Sequence, residues 1–227
     1  MSMPFYVAPE QMMKDRADYA RKGIARGRAL IGTRYAGGIL LCAENPSKSL
    51  HKVSEIYDRI AFAGVGKYNE FDQLRVAGIR HADTKGYAYS RGDVDARGLA
   101  NLYAQYLGQV FTHEVKPLEV EILVVELGEG SQESQLYHIL YDGTVMDEST
   151  FSVLGGDSEA IGDRFGERYR EGWSSEEALR SAVGALSTNG HTLEAKDLEV
   201  AVLEDTGERR SFRRIPAAEV TRLMGSG

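Results

Sequence analysis

Gly64-Val65-Gly66-Lys67 is the stretch most like a phosphate cradle, because closely spaced glycines let backbone N–H groups face an anion while the lysine meets the outer phosphates. Two required residues are missing. Ala61 stands where such a loop needs its first glycine, and Tyr68 replaces the Ser or Thr that would hold Mg²⁺, so the stretch reads as a turn from strand to helix. His51, His81, His113, His138 and His191 are scattered without a pair at metal-ligand spacing, and Cys42 is the single cysteine. Neither a zinc site nor an internal disulfide is expected, and no cofactor. Tyr103 and Tyr106 could stack a planar ligand, but their spacing is that of a packed helix face, and both read as core. Lys52, by residue type alone, is a solvated lysine.

The elements that must position these groups follow from hydrophobic period. Residues 1–8 show none and read as a mobile tail, ahead of Pro9-Glu10, a pair suited to the first turn of a helix. From Pro9 to about Arg26, Met13, Ala17, Ala20 and Ile24 recur at steps of four, three and four among many charges. That is a narrow amphipathic helix, of the kind that bridges subunits or lies on a surface. Strand-like runs follow at Ala29 to Arg34, Ile39 to Cys42, Val53 to Tyr57 and Ile60 to Gly64, the first two joined by the turn Tyr35-Ala36-Gly37-Gly38. Two helical faces come next, one from Tyr68 to Ile79 and a broader one from Leu99 to Phe111. A second strand group, Val120 to Leu127, Leu136 to Tyr141, Thr144 to Met146 and Phe151 to Leu154, precedes helices at Ile161 to Tyr169 and Glu177 to Leu186. Ser174-Ser175-Glu176-Glu177 has the form of a capping box for the latter. Leu198 to Leu203 and Ser211 to Ile215 close the series. Strands, helices, strands, helices, strands implies an α+β architecture: two sheets with helices outside them.

Bulk composition narrows the function classes. With 227 residues the chain can bury a full core, and residues 9–227 read as one domain. No apolar run reaches the roughly 18 residues of a membrane helix, and the N-terminus turns charged by Lys14-Asp15-Arg16 without a cleavable apolar leader. A soluble, cytoplasmic protein is expected. Acidic residues outnumber basic ones 34 to 27, which argues against a general attraction to nucleic acid.

The segment from Tyr19 to Gly27, then Ala29-Leu30-Ile31-Gly32 and the turn at Tyr35 to Gly38, resembles the start of proteasome α subunits. Gly38 to Ser47 and Leu50 to Arg59 are similar to the actinobacterial α subunit in particular. The resemblance continues through Tyr87-Ala88-Tyr89, Lys116 to Glu121, Tyr141-Asp142-Gly143 and Phe212 to Ile215, in order along nearly the whole chain. It implies a four-layer αββα sandwich of the Ntn-hydrolase type and a seven-membered outer ring of α subunits. That ring stacks on β subunits, which carry the proteolytic threonine. It further implies that Ser2, Met3, Pro4, Phe5, Tyr6, Val7 and Ala8 form a gating tail at the ring axis. Lys52, in Ser49-Leu50-His51-Lys52-Val53, would line a pocket between neighbouring α subunits that receives the C-terminal carboxylate of an AAA ATPase activator. Unfolded protein chains would be the substrates admitted.

The same resemblance tests for threonine chemistry. A peptidase of this fold needs an N-terminal threonine freed by cleavage after glycine, since its α-amine manages the hydroxyl proton. Gly27 matches the glycine, but Arg28 stands in the threonine position; Glu44 corresponds to the acid, and Glu55 is taken to correspond to the activating lysine. Cleavage at Gly32-Thr33 would leave only Thr33-Arg34 before the Tyr35 turn and remove the strand that positions a nucleophile, so Thr33 reads as a strand residue. The sequence therefore points to a non-catalytic subunit. Two rivals stand beside it: an active Ntn hydrolase, which requires a processed Thr, Ser or Cys terminus, and a free-standing binding module, which requires a monomer.

Overall fold

A computed structural model describes residues 8–130, 132–187 and 192–225. Strand β1 (Leu30–Tyr35) turns back into β2 (Gly38–Glu44), with Ile31 opposite Cys42. The turn needs glycine at its end. Gly38 has φ +151°, and a Cβ there would meet the carbonyl oxygen of Leu203 at 1.9 Å. Strand β8 (Phe151–Leu154) lies on the far side of β1, while β9 (Leu198–Glu204) and β10 (Phe212–Ile215) extend the sheet beyond β2, giving the order β10-β9-β2-β1-β8. A second sheet runs β3 (Val53–Tyr57), β4 (Ile60–Gly66), β5 (Val120–Glu126), β6 (Gln135–Ile139) and β7 (Val145–Glu148). Every pairing within both sheets is antiparallel.

The two sheets face each other across one apolar layer. Ala61, Ala63 and Val65 of β4, Ile39 and Leu41 of β2, Leu123 of β5 and Ala201 of β9 fill it. Alternate residues point outward, where helices cover them, so these strands are apolar on both faces and the usual period of two is hidden. Phe62 and Val124 meet α2 (Tyr68–Ala88) and α3 (Ala96–His113); Leu40 and Val202 meet α4 (Ser158–Gly166) and α5 (Ser175–Leu186). The result is the αββα sandwich.

Side-chain caps fix where α3 and α5 begin. The Asp95 carboxylate accepts the Gly98 N–H at 2.7 Å and starts α3. The expected capping box starts α5: Ser174 Oγ accepts the Glu177 N–H at 3.3 Å, and the Glu177 carboxylate accepts the Ser174 N–H at 2.8 Å. On α3, Tyr103 is buried as expected and sits over Gly78 of α2, where a Cβ would meet its hydroxyl at 1.7 Å. Tyr106 is 48% exposed, contrary to the core expectation. Three residues on, its side chain has turned about 60° away from that of Tyr103, onto the outer rim of the seam. A C-terminal helix, α6 (Ala217–Gly225), has no counterpart in the sequence reading; it seats Val220 in the core on the α5 side.

Helix α1 (Pro9–Ala25) matches the expected 9–26 closely and lies at one end of the sandwich. Only Ala20 and Ile24 are fully buried, against Tyr141, with Ala17 and Phe111 beside them. Gly23 lets it sit close: a Cβ there would meet Glu119 Oε1 at 2.2 Å. Among the described residues no helix is long and apolar enough to cross a membrane.

Candidate functional site

Three charged residues from three strand ends meet beside the C-terminus of α1. Arg28 precedes β1, Glu44 ends β2, and Lys52 precedes β3. The Arg28 guanidinium forms an ion pair with the Glu44 carboxylate, and Lys52 Nζ donates to the backbone carbonyl of Arg28 at 2.5 Å. The chain reaches Arg28 through a tight exit from α1, in which the Gly27 N–H donates to Ile24 O at 2.8 Å and Gly27 O accepts the Gly156 N–H at 3.0 Å. A Cβ at Gly27 would crowd Ile24 O at 2.9 Å and Val65 at 3.0 Å.

The loop that presents Lys52 is braced by one buried carboxylate. Glu199, on β9, accepts the Lys52 N–H at 2.8 Å, the Val53 N–H at 3.3 Å and Asn45 Nδ2 at 2.7 Å, and Arg214 of β10 pairs with it. His51 Nδ1 lies 3.2 Å from the same carboxylate. Asn45 also donates to Leu50 O at 2.7 Å and accepts the Ser47 N–H at 3.1 Å, so the stretch from 45 to 53 closes on itself. A charged group buried this way needs such a set of donors. Neither Glu199 nor Arg214 stood out in the sequence, because a strand carboxylate and a basic residue 15 positions apart carry no local signature.

Burial shapes the electrostatics of Lys52. Its pKa is lowered to about 8: loss of water lowers it most, the nearby Glu44 and Glu199 carboxylates offset part of that, and the Arg28 cation adds to the lowering. The side chain is a partly desolvated ammonium held by one carbonyl oxygen, not a freely solvated one.

Glu55 does not join this group. It pairs with Arg210, whose Nε lies 2.8 Å from Glu55 Oε2. The residue immediately ahead of the strand is Lys52, because β3 already begins at Val53. The lysine position of the constellation is therefore filled by Lys52, correcting the assignment to Glu55.

The other sequence candidates fall elsewhere. Lys67 is the residue ahead of α2, and its Nζ is 2.5 Å from Glu119, a carboxylate also held by Lys116 at 3.0 Å. Gly66, at φ +108°, passes so close to Glu119 O that a Cβ would sit 1.9 Å away, so the glycines serve a strand-to-helix turn. Thr33 is buried in the middle of β1, with Oγ1 donating to Arg34 O at 3.2 Å. Burial pushes the Cys42 thiol up to about 12, which keeps it protonated in the core. Among the described residues no three His, Cys, Asp or Glu side chains are placed to hold a metal ion. Of the tail residues only Ala8 is described, exposed at the start of α1; Ser2 to Val7 lie outside the described residues.

Residues 24–203 match a family model described as proteasome subunit, and a proteasome subunit alpha from Acidimicrobium ferrooxidans is 72% identical over 225 residues, spanning 99% of this chain and 97% of that protein. The chain belongs to the family of proteasome α subunits. The proteasome subunit alpha of Sanguibacter keddieii is 57% identical over 231 residues, covering 100% of this chain and 91% of that one. That of Thermomonospora curvata is 55% identical over 229 residues, with both chains covered completely. Membership in the proteasome α family accords with the two antiparallel sheets and their flanking helices.

Proposed function

We propose that this chain is a ring and gate subunit, non-catalytic in proteolysis, of a cytoplasmic proteasome core, which admits unfolded proteins to β subunits and docks an ATPase. Its organisation is a tail, residues 1–8, ahead of one domain, residues 9–227. The observation that carries the reading is Arg28 at the start of β1 beside Glu44 and Lys52. A lysine and an acid are in place, but the residue between them offers a guanidinium where a hydroxyl nucleophile is needed. Its nitrogen is a backbone amide following Gly27, not a free α-amine that could take a proton. With no nucleophile to activate, the ammonium is free for another task. A carboxylate at the end of an ATPase tail would displace the Arg28 carbonyl from Lys52, with the half-exposed Arg28 guanidinium adding positive charge nearby.

The test is co-expression with a β subunit followed by mass measurement and peptide hydrolysis. The expected outcome is a ring-sized assembly containing both chains, with activity in that assembly and none of threonine type in this chain alone. A chain that stays monomeric with its β partner overturns the ring assignment.

A further inference from the structure

The apolar layer between the sheets does not stay apolar to its edge. Leu154 of β8, Leu136 of β6 and Leu123 of β5 point into it. Two residues along each strand, and so on the same face, stand Ser152, His138 and Glu121. Ser152 Oγ lies 3.1 Å from His138 Nδ1, and His138 Nε2 lies 3.5 Å from Glu121 Oε2. Ser152 is 3% and His138 6% exposed, and Nε2 has no hydrogen-bond partner. Burying Ser152 and His138 here, beside a partly buried Glu121, costs stability that a Leu or Val in the same position would not.

The row is not sealed. A cleft of about 470 Å³ opens onto it, lined by these three residues and by Phe151, Val153 and Ser158 among others. The Arg34 N–H donates to Thr150 O across β1 and β8, so the antiparallel alternation turns the backbone N–H and C=O groups of Thr150 and Ser152 toward β1. Because β8 is the edge of its sheet, the N–H groups of Phe151 and Val153 face outward, toward the cleft side. The cleft thus combines a hydroxyl on an imidazole, a carboxylate behind that imidazole, and a backbone N–H directly after the serine.

We infer that Ser152 is an activated nucleophile, with His138 as its base, that accepts acyl or phosphoryl groups from small activated esters. Ser152 Oγ attacks the carbonyl carbon while its proton passes to His138 Nδ1. The developing oxyanion meets the Val153 N–H, and the Nε2–H of the imidazolium closes on Glu121. Collapse breaks the bond to the leaving alkoxide or phenolate, which takes the proton from Nδ1. Water then attacks the acyl-serine by the reverse route and releases the acid. The site uses strands β5, β6 and β8 and is separate from Arg28, Glu44 and Lys52.

The experiment treats the full chain, made without β subunits, with diisopropyl fluorophosphate and maps the adduct by peptide mass. Attack forms an O–P bond at Ser152 and expels fluoride. The expected result is one diisopropylphosphoryl group on Ser152, absent in Ser152→Ala and about 100-fold slower or worse in His138→Gln, with both variants shown to melt cooperatively. Ser152→Cys treated with iodoacetamide measures access alone. Failure of the wild type to label at Ser152 overturns the inference whether or not that cysteine alkylates, and so does labelling at an undiminished rate in folded His138→Gln.

Discussion

At the scale of single residues, Lys52 sits between two uses of an ammonium. A folded pKa of about 8 means that burial disfavours its charged form relative to the unfolded chain, where a lysine titrates near 10.4. The cost to stability is fully present below pH 8 and is relieved as pH rises toward the unfolded value. Lys52→Met should therefore melt higher than the wild type at pH 7, and the gap should shrink as pH climbs toward 10; a gap independent of pH would remove the burial argument. Retaining a destabilising charge makes sense if it binds something. A charge-assisted contact between this ammonium and an ATPase-tail carboxylate is typically worth about 1.5 to 3 kcal/mol, so Lys52→Ala should weaken tail-peptide binding about tenfold or more. Lys52→Glu should be worse, because it sets like charges together, and added salt should weaken the wild-type contact. Binding should also fall as pH rises above 8. Tail-peptide titrations on assembled rings measure all of these, with unstimulated peptide hydrolysis reporting ring integrity. If both variants bind as the wild type does, Lys52 has no docking role.

Among the elements, those with a strong local signal were legible in the sequence and those defined by distant partners were not. The α5 cap could be read from Ser174 and Glu177 because both halves of the box lie within one turn. Helix α1 could be read from Pro9 and the Ala20 and Ile24 stripe. Tyr106 could not be separated from Tyr103 by spacing alone, since only the width of the α2 and α3 seam decides which ring is covered. The misplaced Glu55 shows the same limit: one carboxylate near a strand start resembles another until Arg210, 155 residues away, is seen to claim it. Glu199, which braces the Lys52 loop, was invisible for that reason. Helix α1 also carries the element-scale prediction. Much of its surface stays exposed, Met12 and Tyr19 included, and residues 2–8 lead directly into it. Deleting residues 2–8 should speed peptide hydrolysis by the assembled α and β complex and leave the cleavage pattern unchanged, since a gate limits admission and lies apart from the chemistry. Equal turnover in a correctly assembled complex would reject the gate.

For the whole molecule, the sandwich sets a lysine and an acid around a strand start with an arginine between them. Arg28 pairs with Glu44, and Lys52 holds the Arg28 carbonyl, so the constellation is tied up by its own side chains. On the proposed function, the role of the molecule rests on what it surrounds and receives, and threonine chemistry comes from partner subunits. Intact mass analysis of both chains can test that division, after the assembled α and β complex is treated to completion with a peptide epoxyketone, whose ring-closed adduct needs a hydroxyl and a free α-amine on the same residue and so cannot form on an internal serine. Every adduct should fall on the β chain, and this chain should keep its unmodified mass. An inhibitor adduct on this chain would contradict that division.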